Sequence, residues 1–185
     1  DGEGWGLCYD GERLVMSDGS SRLTFREPET FEPVGSVEVT LAGQPIDDLN
    51  ELECVDGAIW ANVWKTDAIL RIDPLDGVVT GLLDLRGLLD PHPAASDPDA
   101  VLNGIASDRS ADTLLVTGKY WPELIEIRLL EPLTRGDLVA HLQDGEFVND
   151  VARCAGNRLE RLDQRYAGGD IVAVVRQNRA RAALA

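Results

Sequence analysis

The chain has 185 residues, 44% of them hydrophobic, and its 33 acidic against 17 basic residues give a net charge of −16. An acidic surface repels nucleic acid and anionic membranes, so we exclude both as partners. No apolar run reaches the roughly 18 to 20 residues of a membrane-spanning helix, which favours a soluble protein. The localisation stays unknown, because a periplasmic or extracellular destination would need a signal upstream of Asp1.

Three segments of the chain repeat one pattern, an apolar strand followed by a polar corner and a second apolar strand. The paired runs are 14–16 with 23–25, 59–61 with 70–72, and 114–116 with 125–127. Taking Leu23, Leu70 and Ile125 as equivalent, the repeats are 47 (70−23) and 55 (125−70) residues apart. A four-stranded propeller blade takes roughly 40 to 50 residues. The sequence therefore predicts an all-β protein, a β-propeller with about three blades in residues 1–130.

Turn residues support strands over helices. Four Asp-Gly pairs, at 10–11, 18–19, 56–57 and 76–77, lie beside the apolar runs, and this dipeptide favours tight hairpins. Glu27-Pro28 and Asp73-Pro74 follow corresponding second strands, where a missing amide donor is harmless. Residues 90–99 hold three prolines and no strand pattern, so we expect an inserted loop there.

The blade pattern does not recur after residue 130. Residues 151–185 hold seven Arg against three acidic residues, and we predict that the unassigned segment 131–185 is a helix or a disordered basic tail. An additional strand is the alternative, since 138–142 and 171–175 are apolar runs that can form one. Three blades are fewer than the roughly four to eight of a closed propeller, so we expect self-association through uncovered sheet edges.

The cysteines and histidines give little sign of a metal site. Cys8, Cys54 and Cys154 are odd in number and widely separated, which argues against a disulfide framework or a thiolate cluster and favours small buried hydrophobic residues. His92 lies in the proline-rich loop and His141 in the unassigned segment, so neither suits a central ligand. This weighs against a sugar or lactone hydrolase, a propeller class that builds metal sites from carboxylates, Asn and His.

Polar and aromatic residues stand at the ends of several strand-like runs, where ordinary packing would favour apolar side chains. They are Trp5, Asn50, Trp64 and Lys119. A fold that gathers equivalent strand ends brings these four residues into one pocket. The alternative for each is structural: core tryptophans, a turn asparagine and a surface lysine. Trp60 and Trp121 are predicted to be core residues.

Six short peptides carry a resemblance to a known family. They are Gly-Trp-Gly-Leu at 4–7, Ser-Asp-Gly-Ser-Ser at 17–21, Leu-Asn-Glu-Leu-Glu at 49–53, Ala-Asn-Val-Trp at 61–64, Val-Leu-Asn-Gly-Ile-Ala at 101–106 and Thr-Gly-Lys-Tyr-Trp-Pro at 117–122. In this order, over residues 1–129, they resemble the plant and bacterial type of glutaminyl-peptide cyclotransferase, or glutamine cyclotransferase. The resemblance implies a five-bladed propeller.

The resemblance also implies an activity and a site. Such a protein cyclises the amino-terminal glutamine of a peptide or protein to pyroglutamate and releases ammonia, with no cofactor and no catalytic zinc. Lys119 resembles the family lysine that hydrogen-bonds the amide oxygen, and Asn50 resembles the asparagine that helps to hold it, so both are candidate catalytic residues. Trp5 and Trp64 align with two tryptophans that bind the substrate in the family pocket.

One feature of the family has no counterpart in this sequence. Its proton-shuttling glutamate lies in a Gly-Glu-Gly-Leu segment upstream of the stretch equivalent to Trp5. Glu3 precedes Gly4-Trp5 and belongs to the later segment, while Glu51 and Glu53 are interpreted as structural acceptors or a polar pocket rim. We therefore expect impaired cyclisation. The alternative is a noncatalytic propeller remnant that binds peptides or protein partners.

Overall fold

The structure is a computed structural model that describes residues 3–85, 88, 97, 99–110, 112–129 and 176–183, the last range as backbone only. These residues form strands and turns without a helix, as the sequence predicts, and thus offer no helical segment able to cross a membrane. The strands are β1 Gly6–Tyr9, β2 Leu14–Ser17, β3 Arg22–Arg26, β4 Pro33–Glu38, β5 Thr40–Leu41, β6 Gln44–Pro45, β7 Leu49–Val55, β8 Ala58–Val63, β9 Ala68–Ile72, β10 Val79–Asp84, β11 Leu102–Asp108, β12 Thr113–Gly118, β13 Glu123–Arg128 and β14 Arg176–Ala183.

The described strands form three four-stranded antiparallel sheets and one two-stranded ribbon. Sheet 1 contains β1 to β4, sheet 2 contains β7 to β10 and sheet 3 contains β11 to β14, each in chain order, while β5 pairs with β6. The predicted repeat is confirmed, because the paired runs are β2 with β3, β8 with β9 and β12 with β13. Leu23, Leu70 and Ile125 are all buried. Sheets 1 and 2 each have the four-stranded meander of a propeller blade, and in sheet 3 the fourth strand comes from a later part of the chain.

The turn predictions are confirmed at the backbone. The glycine of every Asp-Gly pair takes a positive φ, for example 101° at Gly11 and 70° at Gly57, a conformation that costs glycine little. Strand β3 ends at Arg26 and β9 at Ile72, so Pro28 and Pro74 fall outside the ladders. The inserted loop expected at 90–99 lies almost wholly outside the described residues.

The core lies between neighbouring sheets. Successive residues of a strand point to opposite faces, so Ile59 and Trp60 of β8 belong to different clusters. Ile59 packs in a cluster that includes Val15 of sheet 1, whereas Trp60 packs in one that includes Val116 of sheet 3. Sheet 2 is therefore covered on both faces by its neighbours, which explains why all six residues of β8 are buried.

For the segment 131–185 the sequence left a helix, a disordered tail or an additional strand open, and residues 176–183 are a strand, next to the strand-capable run 171–175. They form β14, which pairs antiparallel with β13 from Glu123 to Arg128. The physical reason is that β13 would otherwise present a row of unpaired backbone groups at the edge of sheet 3. Residues 130–175 and 184–185, with His141 and Cys154, lie outside the described residues, as does His92.

The sequence argued against a disulfide framework, and this expectation was wrong for one pair of cysteines. Cys8 of β1 and Cys54 of β7 are bonded, with their Cα atoms 5.5 Å apart, although 46 positions separate them in sequence. Both side chains are buried, as predicted, with 7% of each exposed. The odd number of cysteines and their long separation in sequence gave no sign of this pair. The fold brings β1 of sheet 1 and β7 of sheet 2 together, and with them the two cysteines.

Candidate functional site

The first strands of sheets 1 and 2 run in the same direction. Gly6 of β1 lies against the backbone of Asn50 of β7. Cys8, two residues after Gly6, is bonded to Cys54, four residues after Asn50. The starts of β1 and β7 therefore lie at the same end of the molecule.

The first strand of sheet 3 continues this arrangement. The Ile105 N–H donates to Glu51 Oε2 at 2.8 Å, and the Ser107 N–H donates to Glu53 Oε1 at 2.9 Å. Two steps along β7 thus correspond to two steps along β11, so these strands also run in parallel. Glu51 and Glu53 are structural acceptors, which confirms one of the two interpretations made from the sequence.

The predicted site residues all lie at this end of the sheets. Trp5 precedes β1 and Asn50 lies near the start of β7. Because β8 and β12 run antiparallel to β7 and β11, Trp64 after β8 and Lys119 after β12 lie at the same end. The topology therefore places the four residues at one end of the sheets, while their chemical roles stay a prediction.

Two of the four residues are in direct contact. The rings of Trp5 and Trp64 have their centroids 5.5 Å apart in an edge-to-face arrangement, a favoured geometry for indoles. The Trp5 Nε1–H donates to Glu3 Oε2 at 3.0 Å, and the Lys65 ammonium lies 4.4 Å from the Trp64 ring centroid. Gly19 is required beneath Trp5, since an added Cβ would lie 2.8 Å from the ring. Both indoles are half-buried.

Asn50 is fixed through its backbone. Its side chain is 6% exposed, and its carbonyl oxygen accepts a 2.5 Å hydrogen bond from the buried Ser17 hydroxyl. Gly6 leaves room for the same carbonyl, because a Cβ there would overlap it. The register between β7 and β8 shifts between Leu49 and Leu52, and such a bulge re-aims side chains at functional sites.

Lys119 is exposed and is located by its main chain. Its N–H donates to the Val101 carbonyl at 2.9 Å, and Tyr120, the residue that follows, has a φ of 59° in the left-handed region. Among the described residues the Lys119 ammonium makes no hydrogen bond or ion pair. Trp121 is partly buried against the core and donates from Nε1 to the Ala100 carbonyl at 3.3 Å, and Trp60 is 3% exposed. The prediction that Trp60 is a core residue is confirmed, whereas Trp121 packs against the core without being fully buried.

Two asparagines that the sequence reading did not single out join sheets 2 and 3. Asn62 is fully buried, and its Oδ1 accepts a hydrogen bond from the Gly104 N–H at 3.0 Å. Asn103 Oδ1 accepts a longer bond of 3.4 Å from the Glu51 N–H. Both asparagines stand inside the family-like peptides, and an Asn in a buried strand was the signal that could have found them.

Two carboxyl groups near this end of the sheets have raised pKa values. Burial is the main reason that the pKa of Glu51 rises from 4.5 to about 7, and repulsion from Glu53 adds to it, against the opposing hydrogen bonds from Ile105 and Leu52. Burial also raises the pKa of Asp48, which a nearby lysine opposes. Within the described ranges, no three His, Cys, Asp or Glu side chains are grouped closely enough to hold a metal ion.

Comparison with known proteins identifies the family. A sequence profile described as glutamine cyclotransferase matches residues 1–129. The chain belongs to the glutamine cyclotransferase family. It is 44% identical over 131 residues to a glutaminyl-peptide cyclotransferase of Arabidopsis thaliana, covering 69% of this chain and 40% of the relative. It also resembles the crystal structure of Myxococcus xanthus glutaminyl cyclase, with a TM-score of 0.65, 48% identity and coverage of 69% of this chain and 56% of the other.

These relatives bear on the fold as well. The glutamine cyclotransferase likeness and the blade-like sheets agree with the predicted β-propeller class. The matched region ends at residue 129, so it excludes β14. The chain spans about half the length of the relatives it matches, between 40% and 56%.

Proposed function

We propose that this chain, a member of the glutamine cyclotransferase family, acts as a glutaminyl-peptide cyclotransferase on peptides or proteins with an amino-terminal glutamine. The observation that carries the proposal is the edge-to-face pair of Trp5 and Trp64, which lies at the same strand ends as Asn50 and Lys119 in the matched region. Half-buried indoles suit the aliphatic part of a glutamine side chain, because they exclude water from it while leaving the amine accessible.

The reaction needs stabilisation of an oxygen and movement of protons. The neutral α-amine attacks the side-chain amide carbon, a C–N bond forms, and negative charge develops on the amide oxygen. A proton then moves from the attacking nitrogen to the amide nitrogen, and the C–N bond to ammonia breaks. Lys119 is proposed to donate to the developing oxyanion and Asn50 to hold the same oxygen. The exposed ammonium of Lys119 is available for this contact.

The proton shuttle is the step for which no residue is assigned. Glu51 and Glu53 both accept hydrogen bonds from β11, so their carboxylates are directed to the boundary between sheets 2 and 3. Glu3 accepts from the Trp5 indole. We therefore propose that residues 1–185 alone cyclise glutamine slowly, because Glu3, Glu51 and Glu53 serve structural bonds.

The same observation supports a second function, a noncatalytic propeller remnant. Without a shuttle, the indole pair and Asn50 would still bind a peptide terminus or a protein partner. Self-association through sheet edges is a further proposal for this form, since the six residues of β4 include five exposed ones at the edge of sheet 1.

The test measures ammonia release and binding together. A dipeptide that begins with glutamine is incubated with the purified chain and with a Lys119→Ala variant, and binding is followed by the change in tryptophan fluorescence, with Trp5→Phe and Trp64→Phe variants assigning that change to the indole pair. Cyclisation that the variant loses supports the enzyme. Binding without ammonia release supports the remnant, and neither binding nor release contradicts both proposals.

A further inference from the structure

Sheets 2 and 3 have a backbone irregularity at equivalent places. In β7 the register shifts between Leu49 and Leu52, and in β11 it shifts between Leu102 and Ile105. Asn50 and its neighbour Glu51 occupy the first irregularity. Such bulges are unpaired with their own sheet and are found next to active sites, where they re-aim side chains.

Side-chain hydrogen bonds tie the two irregular segments to each other. Glu51 Oε2 accepts from the Ile105 N–H at 2.8 Å, and Asn62 Oδ1 accepts from the Gly104 N–H at 3.0 Å. Gly104 lies within the irregular stretch and Ile105 is the first residue paired after it, so the two side chains supply acceptors that partly buried donors need. The Asn103 side chain returns a longer bond of 3.4 Å to the Glu51 N–H.

The segment held in this way leads directly to Lys119. Leu102, at the start of β11, pairs with Gly118, and the Lys119 N–H donates to the carbonyl of Val101. The side chains of Glu51 and Asn62 therefore join sheet 2 to the start of β11, and the start of β11 is joined to Gly118 and Lys119. These contacts connect the backbone at Asn50 to the backbone at Lys119.

We propose that Glu51 and Asn62 are positioning residues that set the placement of Lys119 relative to Asn50. This inference rests on the proposed cyclotransferase function. An error of about 1 Å in the placement of a catalytic group can cost on the order of a hundredfold in rate, so bonds at this boundary act on turnover without touching the substrate. Neither residue is proposed to exchange a proton with the substrate.

Glu53 offers a matched control on the same strand. It makes the same kind of bond, from Oε1 to the Ser107 N–H at 2.9 Å, but two residues further from Asn50. Glu51→Ala is expected to lower kcat at least tenfold with KM changed less than threefold, whereas Glu53→Ala leaves kcat within twofold. Glu51→Gln restores kcat, because its amide oxygen still accepts from Ile105.

Hydrogen exchange provides a readout that does not depend on activity. In Glu51→Ala we expect the amide of Lys119 to exchange at least tenfold faster, and in Glu53→Ala we expect it to be unchanged. If the unaltered chain releases no ammonia, the proposed function fails, and the exchange rate at Lys119 still decides the positioning role. Equal effects of the two alanine variants on Lys119 exchange would overturn the inference. Should Glu51→Ala not fold, Glu51→Met, which keeps the length of the side chain, is used in the same comparison.

Discussion

The disulfide between Cys8 and Cys54 is expected to be a large part of the stability of this chain. It joins β1 to β7 across 46 positions of sequence. In the chain-entropy model, a closed loop of that length stabilises the folded state by about 4 kcal/mol at 25 °C, since the entropy removed from the unfolded chain is about 13.5 cal/mol/K. For a domain of this size, that corresponds to a fall in Tm of roughly 8 to 16 °C when the bond is removed.

The perturbation is Cys8→Ala combined with Cys54→Ala, which leaves no free thiol at this place. Both sulfur atoms are buried, so alanine avoids placing a hydroxyl in an apolar environment. Urea unfolding followed by tryptophan fluorescence gives the free energy of unfolding of the variant, of the untreated chain and of the reduced chain. Cys154→Ala is the control for the remaining cysteine.

Two results would refute the expected contribution of the disulfide to stability. We expect the double variant and the reduced chain to lose a similar free energy, between about 2 and 4 kcal/mol, because engineered and native disulfides often contribute less than the entropy model gives. A loss below about 0.5 kcal/mol in both, or alkylation of Cys8 and Cys54 in the unreduced folded chain, would show that the bond does not constrain the protein.

Three further predictions follow from contacts at the candidate site. Gly6→Ala is expected to lower the free energy of unfolding by about 1 to 3 kcal/mol, because its Cβ would overlap the Asn50 carbonyl and lie 2.9 Å from the Glu51 Cα. Urea unfolding measures the effect. Gly4→Ala is the control, since its Cβ would meet only Met16 at 3.8 Å. The pKa of Glu51 is raised in the folded protein, so between pH 4.5 and about 7 folded Glu51 holds a proton that the unfolded chain has released. The contribution of Glu51 to stability is therefore full below pH 4.5 and is lost as the pH rises through about 7. Urea titrations at pH 5 and pH 8 should show this loss in the unaltered chain, and the Glu51→Gln variant should lack it. Lys119→Ala is expected to lower kcat for a glutamine dipeptide by about 10² to 10³, the effect of losing one oxyanion donor, and an unchanged kcat would remove it from the mechanism.

The repeat could be predicted because it is written in local residue patterns. Leu23 and Leu70 recur at the spacing of a blade and are buried in the middle of their sheets, and the Asp-Gly pairs specify turns with positive φ at glycine. Both signals depend on neighbours within a few residues. They do not report how one sheet is placed against the next.

Contacts between residues far apart in the chain were the part that the sequence did not show. The bond from Cys8 to Cys54 and the strand at 176–183 both involve partners far away in the chain, and neither spacing nor composition encodes them. For Glu51 the sequence indicated an acceptor without naming its donor, Ile105. The indole pair was predicted as a shared pocket only because equivalent strand ends meet in a propeller, and the structure brings those two rings into contact.

The central claim is that Trp5, Asn50, Trp64 and Lys119 belong to a glutamine-cyclising site. The most direct measurement is ammonia release from a dipeptide that begins with glutamine, by the 185-residue chain and by its Lys119→Ala variant. We predict slow release by the unaltered chain and loss of that release in the variant. Absence of release by the unaltered chain, or release that Lys119→Ala leaves unchanged, would contradict the account.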